Sequence, residues 1–387
     1  MRRSEILFCS DFPLAYHNPE AEERVARLAD RGHRVVYVAT MGIRDLQPRH
    51  LKRFLRALAP GREGAVADAR GPVELVSPKM LPPRRAPGIA GFNRRWLTRQ
   101  LISRLRDPSD AIMWIRFPSP ELVHVVDACR PRLLVYELVD DHWQTMNTRG
   151  YRRLYREAEG ALLERAGLVL ANANSIRERL DTLRPGTLRF QAAAVDLERF
   201  TAPAKRGTEP EPKTALYIGG IDRRIDVHLV AETARRMPDW RFIVAGPVES
   251  EEMRVLRVVD NVSLPGRIPP ADAPALIASA AVCLMPYVKN EFSRGIFPVK
   301  LVHYLAVGRP VAAVPIEAVG PYGDVVEFGE GVEAFSAAIL RAAAADDEPA
   351  RAARRQRVAE FDWENRLDKL EGYLDGASQA EFAYGRS

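Results

Sequence analysis

Short apolar runs alternate with amphipathic segments along this chain, and the alternation limits the folds that it can adopt. Ile6–Cys9 is apolar, Glu20–Asp30 is amphipathic, and Val35–Ala39 is apolar again. This spacing fits a strand, a crossover helix and a parallel strand. The pattern continues with apolar runs at Ala111–Phe117, Leu133–Val139 and Leu168–Ala171 and with predicted helices at Glu121–Cys129 and from Ile176, which Asn174 and Ser175 would cap. The chain is therefore predicted to be an α/β protein with doubly wound sheets.

The second half of the chain repeats this pattern after a change in composition. The segment 201–213 (TAPAKRGTEPEPK) is polar, contains prolines and lacks periodicity, which predicts a linker. Strands are predicted after it at Ala215–Ile218, Phe242–Ala245, Val262–Leu264, Val282–Met285 and Val311–Val314. We expect a Rossmann-like domain over 1–200, a second over 214–360, and an amphipathic C-terminal helix within 361–387.

Composition excludes several classes of protein. The 387 residues are 47% hydrophobic and 28% charged, which is typical of globular chains of two domains. No apolar run is long enough for a membrane span and no signal sequence is evident, so we expect a cytoplasmic protein. Cys9, Cys129 and Cys283 lack metal-site spacing and are expected to be reduced core residues. The net charge of +6 comes without a nucleic-acid-binding signature, and no nucleic acid partner is predicted.

The segment from Phe297 to Val314 (FPVKLVHYLAVGRPVAAV) carries the most specific local signal. Its apolar spacing predicts a short helix that Gly308 ends, followed by a buried strand. Pro298 stands where the helix begins, and the backbone amides that follow it are expected to be unpaired. A helix start with free amides and a lysine, Lys300, is suited to holding a phosphate.

The pattern P-x-K-L-x-x-Y-L-A-x-G-x-P-V in this segment resembles the donor-binding helix of GT-B glycosyltransferases, the family-4-like group (glycosyl transferases group 1) that uses nucleotide sugars. The segment LADRGHRVVYVAT near the N-terminus resembles part of the first strand–helix–strand unit of these enzymes. The resemblance implies two Rossmann-like domains with an interdomain cleft: an N-terminal acceptor-binding domain and a C-terminal nucleotide-sugar-binding domain. It also implies that the C-terminal helix returns to the N-terminal domain. It departs at two positions, since the group usually carries glutamates where this chain has Gly295 and His303. The spacing of Lys300 and His303 is also similar to that of xanthan-type glucuronosyltransferases.

The resemblance implies a site for a nucleotide-diphosphate sugar in the second domain, with UDP as the expected nucleotide. Lys300 and Arg294 would bind phosphates, an arginine after the glycine pair Gly219-Gly220 would reach the pyrophosphate, and the backbone near Arg267 would contact the base. No metal and no other cofactor are expected. The candidate donor-binding residues are Gly219, Gly220, Arg223, Arg224, Arg267, Ile268, Tyr287, Arg294, Pro298, Val299, Lys300 and His303.

The first domain offers a candidate base. Asp140 and Asp141 follow an apolar strand directly, at the end where ligands of α/β proteins gather. Adjacent carboxylates can raise one pKa, which suits proton abstraction from an acceptor hydroxyl, although an aspartate before a helix is also a common cap. His17 and Asn18, which follow the first predicted strand, are candidate acceptor contacts or merely solvated loop residues.

The segment 82–106 is basic and contains no acid. Phe92, Trp96, Leu97, Leu101 and Leu105 are predicted to share one side of a helix, with seven arginines elsewhere in the segment. This pattern favours contact with an anionic membrane surface at the inner face of the membrane. An ordinary packed helix with a solvated basic side explains it equally well.

The predicted activity is transfer of a sugar from the nucleotide sugar to a hydroxyl acceptor, which could be a saccharide, a lipid-linked saccharide or a small molecule. An aspartate base favours inversion at the anomeric carbon. Two alternatives remain open: a sugar-nucleotide epimerase of the same fold, and a nucleotide-sugar-binding protein without activity, as the absent glutamates suggest.

Overall fold

The computed structural model describes residues 3–10, 19–38, 73–78, 80–81, 88–138, 149–172, 174–183, 188–190, 193–205, 207–247, 253–290, 293 and 297–379. The chain divides into two compact units. The first contains Met1–Asn172, Ile176–Gln191 and Leu367–Ser387, and the second contains Ala192–Arg366 with Ala173–Ser175. Within the described residues, no helix is long and apolar enough to cross a membrane.

The first unit is built on a parallel sheet of seven strands in the order β3-β2-β1-β4-β5-β6-β7. Its central strands are buried along their whole length because helices connect successive parallel strands and cover the faces of the sheet. The strands are β1 (Glu5–Cys9), β2 (Arg34–Val38), β3 (Val73–Val76), β4 (Ile112–Ile115), β5 (Leu133–Leu138), β6 (Leu168–Ala171) and β7 (Leu188–Phe190). The helices are α1 (Pro19–Asp30), α2 (Ile89–Ile102), α3 (Pro120–Cys129), α4 (Arg149–Arg165) and α5 (Asn174–Leu183).

The second unit has a parallel sheet of six strands in the order β10-β9-β8-β11-β12-β13. These strands are β8 (Glu211–Ile218), β9 (Arg241–Ala245), β10 (Val262–Gly266), β11 (Ala280–Met285), β12 (Val311–Ala313) and β13 (Glu327–Phe328). The helices are α6 (Leu197–Lys205), α7 (Val227–Arg236), α8 (Arg254–Arg257), α9 (Ala273–Ala278), α10 (Val299–Val307), α11 (Gly331–Ala344) and α12 (Glu348–Arg357). Two doubly wound parallel sheets confirm the predicted fold class.

The last helix, α13 (Trp363–Gln379), begins in the second unit and continues in the first. In the first unit, Arg31 donates hydrogen bonds to Asp368 and Glu371 at 2.7 and 2.8 Å, and Leu370 and Leu374 are buried. The predicted C-terminal helix therefore ends in the first unit, and it starts at Trp363.

The segment 201–213 differs from the predicted linker. Its first five residues complete helix α6, and its last three begin strand β8. Helix α6 packs on α9 and α10 of the second unit, with the ring of Phe200 stacked on His303 at a centroid distance of 4.2 Å. The polar composition hides this helix because its buried face is small. By contacts, the chain passes from the first unit to the second at about residue 192.

Two local predictions in the first unit need correction. Helix α5 begins at Asn174, so Asn174 and Ser175 lie inside the helix and do not precede it. In helix α2, Leu97 and Leu101 are buried, but Phe92 and Trp96 are 47% and 43% exposed. Asn93, Leu97 and Leu101, which are spaced by four residues, form the buried side of the helix. The two aromatic residues therefore lie on its outward side.

A buried ion cluster lies among β4, β5 and α1. Glu137, in the middle of an apolar strand, accepts hydrogen bonds from Arg24 at 2.7 Å and from the indole of Trp114 at 2.8 Å. The Arg116 guanidinium lies 3.4 Å from the same carboxylate. Burial alone would raise the pKa of Glu137, but Arg24 and Arg116 lower it below its ordinary value, so the carboxylate is charged.

Replacing Glu137 with alanine should destabilise the first unit by about 3–5 kcal/mol, because two buried guanidinium groups would lose their common carboxylate. Urea denaturation followed by tryptophan fluorescence measures the loss. The matched control is Asp368→Ala, which removes an exposed partner of Arg31 and should cost less than about 1 kcal/mol. Equal losses in the two variants would contradict a structural role for the cluster.

Candidate functional site

The second sheet has a topological switch point between β8 and β11. The chain leaves β8 toward β9 on one side and later enters β11 on the other side, so the loops after these two strands part above the sheet. In doubly wound sheets, ligands bind at the carboxyl ends of strands at such a point. Gly219 directly follows β8, and Tyr287 lies two residues beyond β11. The loops are joined by hydrogen bonds from Asp226 N–H to Pro286 O and from Val288 N–H to Arg224 O, both 2.8 Å.

Lys300 projects from the first turn of helix α10 into this point. Its ammonium nitrogen Nζ lies 3.4 Å from the hydroxyl of Tyr287 and 5.7 and 5.9 Å from the ring centroids of Tyr217 and Tyr287. Both rings are buried and hold the cation through their faces. The lysine is only half-buried, so its charge remains available to a ligand.

Gly219 makes room for the stem of Lys300. A Cβ atom at residue 219 would lie 1.8 Å from Lys300 Cε, and the residue has a φ of +149°, which favours glycine. Gly246, at the end of β9, approaches as closely, since a Cβ there would lie 1.8 Å from the carbonyl oxygen of Gly219. The ends of β8 and β9 and the lysine therefore pack with no space for further side chains.

Helix α10 is fixed at both ends. The Tyr304 hydroxyl accepts a hydrogen bond of 3.1 Å from the N–H of Ile218, the last residue of β8. At the other end, Gly308 closes the helix in the left-handed conformation, and its carbonyl accepts a bond of 3.1 Å from buried Arg354. The position of Lys300 above the sheet is therefore set by the strand and by the helix cap together.

The helix start also supplies backbone donors. The helix begins at Val299 after Pro298, as the motif predicts. The N–H of Val299 donates to Phe297 O at 2.9 Å, so it is not unpaired as expected. The following amides of the first turn, at Lys300 and Leu301, have no acceptor within an α-helix and point along its positive end. The positive charge of Lys300 and the positive end of the helix dipole therefore lie at the same place. This arrangement is suited to a bound phosphate.

The arginines after β8 have different surroundings. Arg224 donates to both carboxylate oxygens of Asp222 at 2.9 Å, and it is therefore engaged in a local ion pair. Burial would raise the pKa of Asp222, but the bonds from Arg224 and the charge of Lys300 lower it, so the acid stays ionised. Arg223 is exposed in the same turn. The carbonyl of Gly220 accepts a bond of 2.8 Å from the hydroxyl of Tyr217, which orders this turn.

Arg267 and Ile268 follow strand β10 at the edge of the same sheet. Arg267 is exposed and Ile268 is half-buried. Because β10, β9 and β8 are adjacent and parallel, these residues lie at the same end of the sheet as Gly219, two strands away.

His303 lies one helical turn beyond Lys300. Its ring is stacked on Phe200 of helix α6 with an interplanar angle of 9°. Burial, the charge of Lys300 and that of Arg199 lower the pKa of His303 to about 3, so the imidazole is neutral. The residue therefore cannot replace the negative charge of the glutamate that the resembled group carries.

Five of the predicted site residues lie outside the described residues: His17, Asn18, Asp140, Asp141 and Arg294. The strands that lead to the first four are described. Strand β5 ends at Leu138, next to β4, and β1 and β4 flank the switch point of the first sheet.

Three features of the sites escaped sequence reasoning. Asp222 and Tyr304 lie within motifs of the second unit, but their partners Arg224 and Ile218 become evident only in the fold. Glu137 was missed although it left a signal, because it is the one acid within an otherwise apolar strand, LLVYEL.

Residues 212–345 match the family model of Glycosyl transferases group 1. The matched residues lie within the second unit and make up less than half of the chain. Among curated proteins, TuaH of Bacillus subtilis (strain 168), which is assigned as a glycosyltransferase of teichuronic acid biosynthesis, is 26% identical over 195 residues. The matched region covers 46% of this chain and 49% of TuaH, so the chain spans about half the length of that relative.

Solved structures of glycosyltransferases resemble the whole chain. A glycosyltransferase from Rickettsia africae ESF-5 has a TM-score of 0.67 at 13% identity, covering 97% of this chain and 99% of its own. Anabaena Alr3699/HepE, solved in complex with UDP, has a TM-score of 0.64 at 13% identity, covering 97% and 100%. The likeness is one of fold. It confirms the GT-B fold that the sequence predicted.

The neutral state of His303 predicts a pH dependence for this GT-B chain. Because the pKa falls from about 6.5 unfolded to about 3 folded, the unfolded chain binds more protons between these values. Protonation of the unfolded chain therefore lowers the free energy of unfolding as the pH falls below 6.5. The loss at pH 5 is about 2 kcal/mol. Urea denaturation at pH 7.5 and pH 5 measures the change.

In His303→Phe, which keeps an aromatic ring against Phe200 and does not titrate, the difference between the two pH values should shrink by that amount. His228→Gln, at an exposed histidine on α7, is the control and should leave the difference unchanged. A pH dependence identical in His303→Phe and the unaltered protein would refute the assignment.

Proposed function

We propose that this chain transfers a sugar from a nucleotide-diphosphate sugar to a hydroxyl acceptor. The observation that carries the proposal is the placement of Lys300 over Gly219 at the switch point of a glycosyl transferases group 1 domain. Departure of a nucleoside diphosphate adds negative charge to an oxygen, and a fixed cation beside a helix start stabilises that charge. Because Lys300 and the helix supply this charge, the proposed reaction requires no metal.

The proposed donor nucleotide is UDP. Support comes from the structural likeness to Alr3699/HepE, which has been solved with UDP and with UDP-glucose. In the proposed site, the diphosphate contacts Lys300 and the amides after Pro298 and Val299, with Arg294 and Arg223 as further phosphate contacts. The base and ribose extend toward Arg267 and Ile268, and Tyr287 packs beside the diphosphate. His303, being neutral, can accept a hydrogen bond from a ribose hydroxyl but adds no charge.

The proposed base is Asp140 or Asp141 of the first unit, with His17 and Asn18 as acceptor contacts. The acceptor oxygen attacks the anomeric carbon while its proton passes to the aspartate. The bond from that carbon to the diphosphate oxygen breaks, and the diphosphate leaves with its electron pair. Direct attack of this kind inverts the anomeric configuration, and NMR of the product distinguishes it from retention.

Lys300→Met should weaken UDP binding about 10- to 100-fold, because a charge-assisted contact to phosphate is worth about 1.5–3 kcal/mol. Isothermal titration calorimetry measures the affinity, and a thermal melt without nucleotide should be nearly unchanged. Gly219→Ala should also weaken binding, because it displaces the lysine stem. The control is Lys213→Met, which removes a lysine at the opposite end of strand β8. Equal affinities for UDP in Lys300→Met and Lys213→Met would refute the phosphate role.

Asp140→Asn and Asp141→Asn test the transfer step. We expect one of them to lower kcat by about 100-fold or more while leaving the affinity for UDP unchanged, because a general base acts on the acceptor. Donor-sugar release with a panel of hydroxyl acceptors measures transfer. Interconversion of the sugar on the nucleotide would instead indicate an epimerase. Binding of nucleotide sugars without either reaction would indicate a silent binding protein.

A further inference from the structure

Helix α2 of the first unit turns two aromatic side chains toward solvent. Phe92 and Trp96 are 47% and 43% exposed, and their rings stack with centroids 5.8 Å apart and an interplanar angle of 15°. The opposite side of the helix packs in the core through Leu97 and Leu101. A helix that covers a sheet normally carries polar residues on its outward side. The exposed pair is therefore not explained by the packing of this unit.

A third exposed apolar side chain, Leu81, is held beside the same helix. Leu81 is 45% exposed, and its backbone is held by buried Asn93, which accepts from its N–H and donates to its carbonyl, both at 2.8 Å. Large apolar side chains with comparable exposure are few in the part of the chain that the structure describes: Leu81, Phe92, Trp96, Val258 and Leu340. Three of these five belong to this one region, and such a concentration marks an interaction surface.

Arginines share the outward side with the aromatic pair. Positions 95 and 96 lie three and four residues after position 92, and position 99 lies four and three residues after those two. The four positions therefore share one face of the helix. Arg95 and Arg99 are exposed, as is Arg94 on the flank, and helix α2 contains no acid. Among the described residues, no carboxylate lies within ion-pair distance of these three arginines. Their charge is therefore available to a partner.

A cleft opens beside this face, between helices α2 and α3. Its volume is about 400 Å³, and two guanidinium groups and two hydroxyl groups border it. The hydroxyls of Thr98 and Ser103 donate to the backbone carbonyls of Arg94 and Gln100 at 2.8 and 3.2 Å, so the two guanidinium groups are the donors suited to a phosphate. The lining residues are Arg95, Thr98, Arg99, Ile102, Ser103 and His124.

We propose that this aromatic–arginine face, formed by Leu81, Phe92, Arg95, Trp96 and Arg99, docks on the surface of an anionic phospholipid membrane. The aromatic rings enter the headgroup boundary, where tryptophan is favoured, and the arginines bind lipid phosphates, one of them in the cleft.

Charge favours a membrane over a second copy of the chain. A twofold contact through this face would place Arg95 and Arg99 against the same two residues of the partner, without an acid on the helix to compensate.

The test measures co-sedimentation of the full chain with vesicles, without a sugar donor, so the outcome does not depend on the proposed transferase activity. We expect binding to phosphatidylcholine vesicles that contain phosphatidylglycerol, little binding to phosphatidylcholine alone, and release at high salt. Arg95→Gln with Arg99→Gln should weaken binding about thirtyfold at low salt. Phe92→Ser with Trp96→Ser should weaken it further, because the apolar contact is lost.

The matched control for charge is Arg235→Gln with Arg236→Gln, two exposed arginines on helix α7 of the second unit. The matched control for apolar exposure is Leu340→Ser on helix α11. Both should bind anionic vesicles like the unaltered protein. All the changed side chains are exposed, so thermal melts should be unaltered and loss of binding cannot be attributed to unfolding.

Tryptophan fluorescence supplies a second measurement. Brominated phosphatidylglycerol should quench Trp96, and Trp96→Phe should retain binding while losing most of the quenching. The proposal is overturned if the arginine variant binds anionic vesicles like the charge control. It is also overturned if the face instead mediates dimerisation in size-exclusion chromatography or binds a single-stranded oligonucleotide in preference to vesicles.

Discussion

The contact between the stem of Lys300 and the backbone of Gly219 is the constraint on which the candidate site depends. It joins the carboxyl end of a central strand to the first turn of a helix that is far away in sequence, and no side chain larger than hydrogen fits between them. Tyr304 strengthens the same junction from one turn further along the helix by accepting from Ile218. The cation is therefore presented by a rigid support, as stabilisation of a negatively charged leaving group requires.

Much of this arrangement could be predicted because local and global signals agree. The apolar runs predicted most strands of both sheets to within a few residues, since strands of a covered parallel sheet are apolar throughout. The helix from Val299 to Val307 was predicted from its flanking Pro298 and Gly308, which act through backbone geometry alone. The resemblance assigned Lys300 and Gly219 to one donor site, but the contact between them was not predicted.

Other features could not be predicted because they depend on partners that are distant in sequence. Nothing local indicates that Phe92 and Trp96 face outward while Leu97 faces the core, because all three fit a helical apolar stripe. Nothing local indicates that Tyr304 accepts from Ile218, or that His303 is covered by Phe200, which lies far earlier in the chain. The hydrogen-bond partners of charged and aromatic side chains were thus the least predictable part of the site.

The course of the last helix has a consequence for synthesis of the chain. The first unit includes Leu367 and the residues after it, so the segment that completes it is made after the second unit. Arg31 and His33 near the N-terminus lack their partner Glu371 until this segment has been made. Leu370 and Leu374 in the same segment are buried and complete the apolar core of the unit. The second unit, from Ala192 to Arg366, is contiguous apart from three residues and emerges complete before them. On the ribosome, the unit that begins first therefore finishes second, which reverses the usual order in which domains fold.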